Sequence, residues 1–176
     1  IVSVVGALAW QFAFTPDVGF INRWLSSDTA WLSSRGTSLV VIIATEVWKT
    51  TPFIALLLLA GLATVPHNLT EAAKVDGATA WQAFTRVTLP NMRNAIIVAV
   101  LFRTLDAFRV FDTIYIQTRG ANDTESVSIL GYNQLINRLN LGIGSAVSVL
   151  IFVCVVLIAV SFVKGLGVTI SQGRTR

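Results

Sequence analysis

The chain alternates long apolar stretches with shorter polar ones. Apolar residues run from Ile1 to Phe14, Leu39 to Ala63, Ile96 to Ile116 and Ile143 to Val163. Between them lie a polar loop from Thr15 to Arg35, with Pro16, Asp17, Gly19, Asn22 and Asp28, an interruption over residues 64–92, and a second loop from Gln117 to Asn140. A bilayer core of roughly 30 Å needs about twenty apolar residues in helix. The pattern therefore predicts membrane spans at about 1–14, 39–63, 96–116 and 143–163, the first being the tail of a span with Trp10 as an interfacial aromatic. The β-branched runs near Val40 and Val147 are longer than strands and lack their two-residue alternation, so helix is the expectation there too. The fold class that follows is an all-α polytopic membrane protein, with residues 64–92 and the C-terminus on one side and the two polar loops on the other.

The stretch 64–92 has its own punctuation and reads as two short helices around a glycine. Asn68 followed by Glu71 has the spacing of a capping box, and Thr79 followed by Gln82 repeats it. Gly77 stands where the first helix needs a left-handed closing residue. Pro90 is expected to end the second helix by Leu89. Helices this short are marginal in water unless an apolar face docks on something, and Trp81, Phe84 and Thr88, at i, i+3 and i+7, supply such a face.

Composition reinforces the membrane assignment. Hydrophobic residues make up 54% of the 176, charged residues only 12%, and the mean hydropathy is +0.71, outside the range of ordinary soluble domains at about 25% charged. The net charge of +4 comes without any Lys/Arg run, so no nucleic-acid footprint is implied. Arg174 and Arg176 read as a membrane-surface anchor. The side of residues 64–92, the elbow, carries Lys74, Arg86, Arg93, Lys164, Arg174 and Arg176, against Arg23, Arg35, Arg119 and Arg138 opposite. The positive-inside bias thus places elbow and C-terminus in the cytoplasm. Ile1 opens inside an apolar run with no basic segment before it, so the chain is expected to lack its N-terminal part and to carry no signal peptide.

Chemistry-bearing motifs are few. Cys154 is a lone residue in an apolar run, and His67 follows Pro66 at a helix end as a solvated loop residue. No Cys/His cluster suggests a metal. There is no G-x-x-x-x-G-K-[ST], no H-E-x-x-H and no nucleophile elbow. No catalytic residue and no enzyme is expected.

The notable polar residues lie inside the apolar stretches. Arg103, Asp106, Arg109 and Asp112 recur every third residue in one predicted span. An ion at the bilayer centre costs about 2.5–3.5 kcal/mol, so the set needs either mutual pairing at i, i+3 or a solute path to face. Both readings stay open on sequence alone. In the preceding span Glu46, Trp48, Lys49, Thr50 and Thr51 surround Pro52, whose missing N–H frees the carbonyl of Trp48. That patch suits either a solute site or a packing kink with Glu46 and Lys49 paired. Gly142, Gly144, Ser145 and Ser148 give the last span a close-packing face.

The elbow residues carry a family resemblance. Glu71-Ala72-Ala73, Asp76-Gly77-Ala78, Phe84 and Leu89-Pro90 resemble the EAA loop of binding-protein-dependent ABC importer permeases. Gly19-Phe20-Ile21-Asn22, Trp48, Ala60-Gly61-Leu62 before Pro66, and Gln117-Thr118-Arg119-Gly120 with Thr124 extend the likeness to the MalF-type sugar permeases. Within these, Glu46–Phe53, Leu101–Phe108 and Ser126–Tyr132 are most similar to trehalose-importer permeases.

The resemblance implies a single transmembrane domain over 1–176, in a bacterial inner membrane, that moves a sugar, trehalose or a related disaccharide, by alternating access. The implied partners are a second permease subunit, two ATP-binding cassette subunits that use ATP and Mg, and an external sugar-binding lipoprotein; no cofactor is bound by this chain. Glu71, Ala72, Ala73, Asp76, Gly77 and Ala78 would form the coupling helix, with Trp81, Phe84 and Pro90 bracing it. Arg103, Asp106, Ala107 and Val110 would face the sugar, with Thr50 opposite and Trp48, Lys49 and Arg109 beside them. Two departures stand out: Arg119-Gly120-Ala121 replaces the family's outer-loop Gly-Gly-Pro, and charged Arg103 and Asp106 do not match maltose-type contacts. The rival reading is an ion-coupled secondary transporter with Asp106 or Glu46 as proton carrier.

Overall fold

The computed structural model describes residues 2–26 and 28–165, and all regular structure among them is helical. In chain order the elements are α1 (Ser3–Ala13), α2 (Phe20–Leu25), α3 (Arg35–Ala63), α4 (His67–Val75), α5 (Ala80–Ala83), α6 (Leu89–Asn91), α7 (Arg93–Phe108), α8 (Asp112–Gln117), α9 (Val127–Tyr132) and α10 (Leu141–Gly165). Two π-helical turns, Phe84–Thr88 and Asn133–Asn137, follow α5 and α9. Helices α3 and α10 are long and apolar enough to cross a membrane; the 29 residues of α3 extend roughly 43 Å at 1.5 Å per residue. Helix α10 is apolar all round and has no buried residue in its most apolar window, the signature of a helix made for lipid or for neighbouring spans. Arg174 and Arg176 lie outside the described residues.

The chain divides into two compact units, Ile1–Thr51 with Asp106–Val155, and Pro52–Leu105 with Val156–Arg176. Within α3 the boundary falls at Pro52, the one position whose missing N–H interrupts the helical ladder.

The first unit is organised around Ile42, Ile114 and Ile129, flanked by Val110, Phe111 and Tyr115. Helix α1 packs along α8, and Trp10 stands against Phe14 and Trp48 at centroid distances of 5.8 and 6.1 Å. The loop after α1 is tied down by buried Asn22, whose Nδ2 donates to the Thr29 carbonyl (3.0 Å) and whose Oδ1 accepts from Trp31 Nε1 (2.6 Å). The small-residue face of the last span is used here, since Leu135 seats directly on buried Gly144.

The expectation of one continuous helix over 96–116 is corrected by a break at residues 109–111, within this unit. Helix α7 stops at Phe108 and α8 starts at Asp112. Arg109 N–H and Val110 N–H reach back only three residues, to the Asp106 and Ala107 carbonyls, at 3.1 and 3.4 Å. The Val110 carbonyl, which a continuing helix would give to a main-chain donor, instead accepts from Ser126 Oγ at 2.8 Å. The break lets Ile114 enter the core, so a buried side chain and a side-chain cap outweigh helical continuity. Asp112 therefore opens a new helix, and the charge ladder expected to run from Arg103 to Asp112 is not one helical row.

In the second unit, Phe53 meets Phe102 edge to face at 6.4 Å. Gly61 of α3 faces Ala95 of α7 so closely that a Cβ added at Gly61 would lie 2.3 Å from the Ala95 Cβ. Only glycine permits this approach.

Candidate functional site

The elbow belongs wholly to the second unit. Helix α4 starts after Pro66, which offers no side-chain cap, so the capping box expected at Asn68 and Glu71 is corrected. Asn68 lies inside the first turn, because Pro66 supplies the extended φ/ψ of the N-cap one step earlier. The other end is as expected: Gly77 has φ +77°, its N–H bonds to the Lys74 carbonyl (3.0 Å), and the Ala78 N–H bonds to the Ala73 carbonyl (2.9 Å). These two bonds are the Schellman closure of a helix. Thr79 then caps α5, its Oγ1 accepting from the Gln82 N–H (3.3 Å) while Gln82 Oε1 accepts from the Thr79 N–H (2.9 Å).

Pro90 does not stop the chain by Leu89, as its position suggested. The π turn closes on a bond from the Leu89 N–H to the Phe84 carbonyl, and α6 carries Pro90 within it. A π turn widens the backbone and moves aside the carbonyl four residues upstream, where a proline ring otherwise clashes. Asn91 Nδ2 donates to the Val87 carbonyl at 2.7 Å, replacing part of the lost ladder, and the helical path resumes in α7. The apolar face of the elbow is divided. Thr88 and Ala83 are buried, whereas Trp81 (72% exposed) and Val75 (88% exposed) stand bare, with the Trp81 and Phe84 rings 5.9 Å apart.

In the first unit α3 presents a buried polar strip to α8. Lys49 Nζ lies 2.6 Å from Glu46 Oε1, with the side chains 15% and 6% exposed. Thr113 Oγ1 donates to the same carboxylate oxygen (2.5 Å) and lies 3.5 Å from Lys49 Nζ. One turn further, Gln117 Nε2 donates to Thr45 Oγ1 (2.8 Å), which itself donates to the Val41 carbonyl. Thr50 and Thr51 donate to the Glu46 and Val47 carbonyls at 2.7 and 2.6 Å, as threonines beside a proline do when they take up main-chain acceptors. The Glu46–Lys49 pair anticipated from sequence is thus present. Its partner Thr113 and the neighbouring Gln117–Thr45 bond were not singled out, although the four-residue spacing of Thr113 and Gln117 places them on one helix face.

The residues expected along a sugar path distribute as follows. Arg103 is half-buried on α7, beside an apolar cavity of about 330 Å³ lined by Ile54, Leu58, Ile96 and Val100. Asp106 and Ala107 are exposed on the last turns of α7, Arg109 is exposed in the break, and Val110 follows it off the helix. The stripe thus ends at Ala107. Trp48 is partly exposed against Trp10, Thr50 keeps only its lone pairs for a solute, and Lys49 is committed to Glu46. In the second polar loop, Tyr132 sits in an aromatic trio with Phe111 and Tyr115 (centroids 5.2–5.3 Å). Its hydroxyl is raised above the ordinary 10.0, first by the hydrogen bond with Tyr115 and then by that neighbour's charge.

The described residues form an all-helical fold with an elbow closed between apolar helices, and residues 1–172 match the family described as binding-protein-dependent transport system inner membrane component. The chain belongs to that family and is a membrane protein. It is 54% identical over 173 residues, 98% of its own length, to the trehalose transport system permease protein SugA of Mycobacterium tuberculosis. It is 40% identical over 168 residues, 92% of its length, to the trehalose/maltose transport system permease protein MalF of Thermococcus litoralis. It covers 56% and 57% of those proteins, so it spans little more than half the length of these curated relatives. Its fold superposes with a TM-score of 0.88 on a crystal structure of a bacterial ABC transporter involved in alginate import, at 24% identity, over 97% of this chain and 62% of that one.

Proposed function

We propose that this chain forms part of the permease subunit of an ATP-driven sugar importer, with trehalose or a closely related disaccharide as cargo. The carrying observation is the elbow: two short helices joined where a Schellman closure of the first meets a capping box on the second, leaving Trp81 and Val75 bare. A rigid element with an unburied apolar face is built to seat in another protein. The partner that fits is an ATP-binding cassette subunit, since this chain has no phosphate-cradling loop of its own. Glu71, Ala72, Ala73, Asp76, Gly77 and Ala78 would enter its groove, and Phe84 and Pro90 would pass the displacement to α7. The remaining partners are a second permease subunit, a second ATPase and an external sugar receptor; ATP and Mg act in the ATPases. The excess of basic residues on the elbow side supports a cytoplasmic elbow and C-terminus.

Trehalose is supported by the names of the two relatives above and by chemistry. Arg103 offers only donors and Asp106 only acceptors, a combination suited to the hydroxyls of a neutral disaccharide. We assign the sugar path to Arg103, Asp106, Ala107 and Thr50, with Trp48, Arg109 and Val110 at its margin, and give Lys49 the role of a brace on Glu46. An ion-coupled transporter is not the mode of this family, and Glu46 is held by Lys49 and Thr113.

The test is ATPase activity of the full transporter in proteoliposomes, with its receptor, against a panel of disaccharides. Stimulation by trehalose above maltose and sucrose is expected. Uptake that ignores ATP and collapses with the proton gradient would overturn the assignment.

A further inference from the structure

The loop between α1 and α3 presents a feature that the elbow does not use and that meets the margin of the sugar path only at Trp48. Helix α2 turns Asn22 inward, where it is buried and doubly bonded, to Thr29 and Trp31. Three of its four apolar residues are exposed, Trp24 at 85% with Phe20 and Leu25 beside it. Two cavities flank the helix. One, of about 280 Å³, is aromatic, walled by Trp10, Phe14, Phe20 and Trp48. The other, of about 420 Å³, is polar, lined by Asp17, Arg23, Ser26 and Asp28. Phe20 lines both.

We propose that α2 and these two cavities hold one aminophospholipid at the membrane surface, with its acyl chain on the aromatic wall and its headgroup in the polar cavity. The proposal rests on the membrane assignment of the family and not on the identity of the sugar. An apolar and a polar cavity meeting at one residue match the two ends of an amphiphile. Trp24 is exposed on the short helix between α1 and the membrane-length α3, and an exposed indole ring is suited to the water–lipid boundary. The charges narrow the headgroup. Arg23 suits a phosphate, while Asp17 and Asp28 are acceptors that suit a primary ammonium. A glycerol headgroup lacks that charge, and a quaternary choline has no N–H to donate. Ethanolamine phospholipid is therefore the favoured occupant over phosphatidylglycerol and phosphatidylcholine.

The test uses the complete transporter in nanodiscs of phosphatidylethanolamine, phosphatidylglycerol or phosphatidylcholine, followed by native mass spectrometry after transfer to mild detergent. One retained phosphatidylethanolamine is expected, held about tenfold more tightly than the other two, the ratio that one charge-assisted hydrogen bond provides. Asp17→Asn with Asp28→Asn should erase the discrimination, and Arg23→Ala should weaken all three lipids together. A photoreactive p-benzoylphenylalanine in place of Trp24 should cross-link lipid. Equal retention of the three lipids, discrimination unchanged in the Asn variant, or cross-links to a protein subunit instead would overturn the proposal. Sugar-stimulated ATPase activity in the same samples reports on the transport assignment independently.

Discussion

Replacing Lys49 by Met removes one charge of a buried pair and leaves its partner in place. Glu46, only 6% exposed, would keep the Thr113 hydroxyl at 2.5 Å but lose the ammonium at 2.6 Å. Breaking such a pair from one side costs about 3–5 kcal/mol, because the remaining charge stays desolvated. Met retains most of the lysine stem, so little packing is lost. At about 2–4 °C per kcal/mol for a chain of this size, the melting temperature of the complex in detergent should fall on the order of 10 °C. The triple variant Glu46→Leu, Lys49→Met, Thr113→Val removes the carboxylate, the ammonium and the hydroxyl together, and should recover most of the loss. The assay is thermal unfolding followed by tryptophan fluorescence, with sugar uptake measured on the same preparations. If Lys49→Met leaves the melting temperature unchanged while the apparent affinity for sugar drops, Lys49 is a solute contact and the brace assignment is wrong.

Three further outcomes are expected. Gly77→Val forces a β-branched residue into φ +77°, costing about 1–2 kcal/mol; it should leave assembly intact but uncouple ATP hydrolysis from uptake, and normal uptake would refute the coupling role. Gly61→Leu would drive its side chain into Ala95, whose Cβ already lies 2.3 Å from a Cβ at position 61, so the crossing must open and the yield of assembled complex should fall several-fold on size-exclusion chromatography, with Gly61→Ala intermediate. Asp106→Asn and Arg103→Ala should change the KM for sugar by about tenfold, the loss of one charge-assisted bond, whereas an effect confined to assembly would reduce them to helix braces.

Much of this was legible in the residues, for reasons that differ by region. Gly77, Thr79 and Gln82 act through main-chain bonds to neighbours within five positions, so their spacing alone announced the closure and the cap. The same logic misplaced the start of α4. Asn68 and Glu71 have the spacing of a cap, but Pro66 provides an extended residue earlier and the helix starts there. Local spacing also failed at Pro90, where a π turn reroutes the backbone, and at Arg109–Phe111, where a hydroxyl sixteen residues away takes a carbonyl. The tie between α3 and α8 joins residues 67 and 72 positions apart. No periodicity reveals such contacts; they depend on which faces of two helices the fold brings together.

The closure of α4 and the cap of α5 share almost no chain. Ala78 is the last residue engaged by one helix, and Thr79 already belongs to the next. A joint of this kind has no slack to take up. A load applied at Trp81 or Val75 would be felt on both helices at once, and any travel must be absorbed further along, where the widened turn before Pro90 leaves the backbone room to flex. The stiffness of the elbow thus decides where motion has to appear.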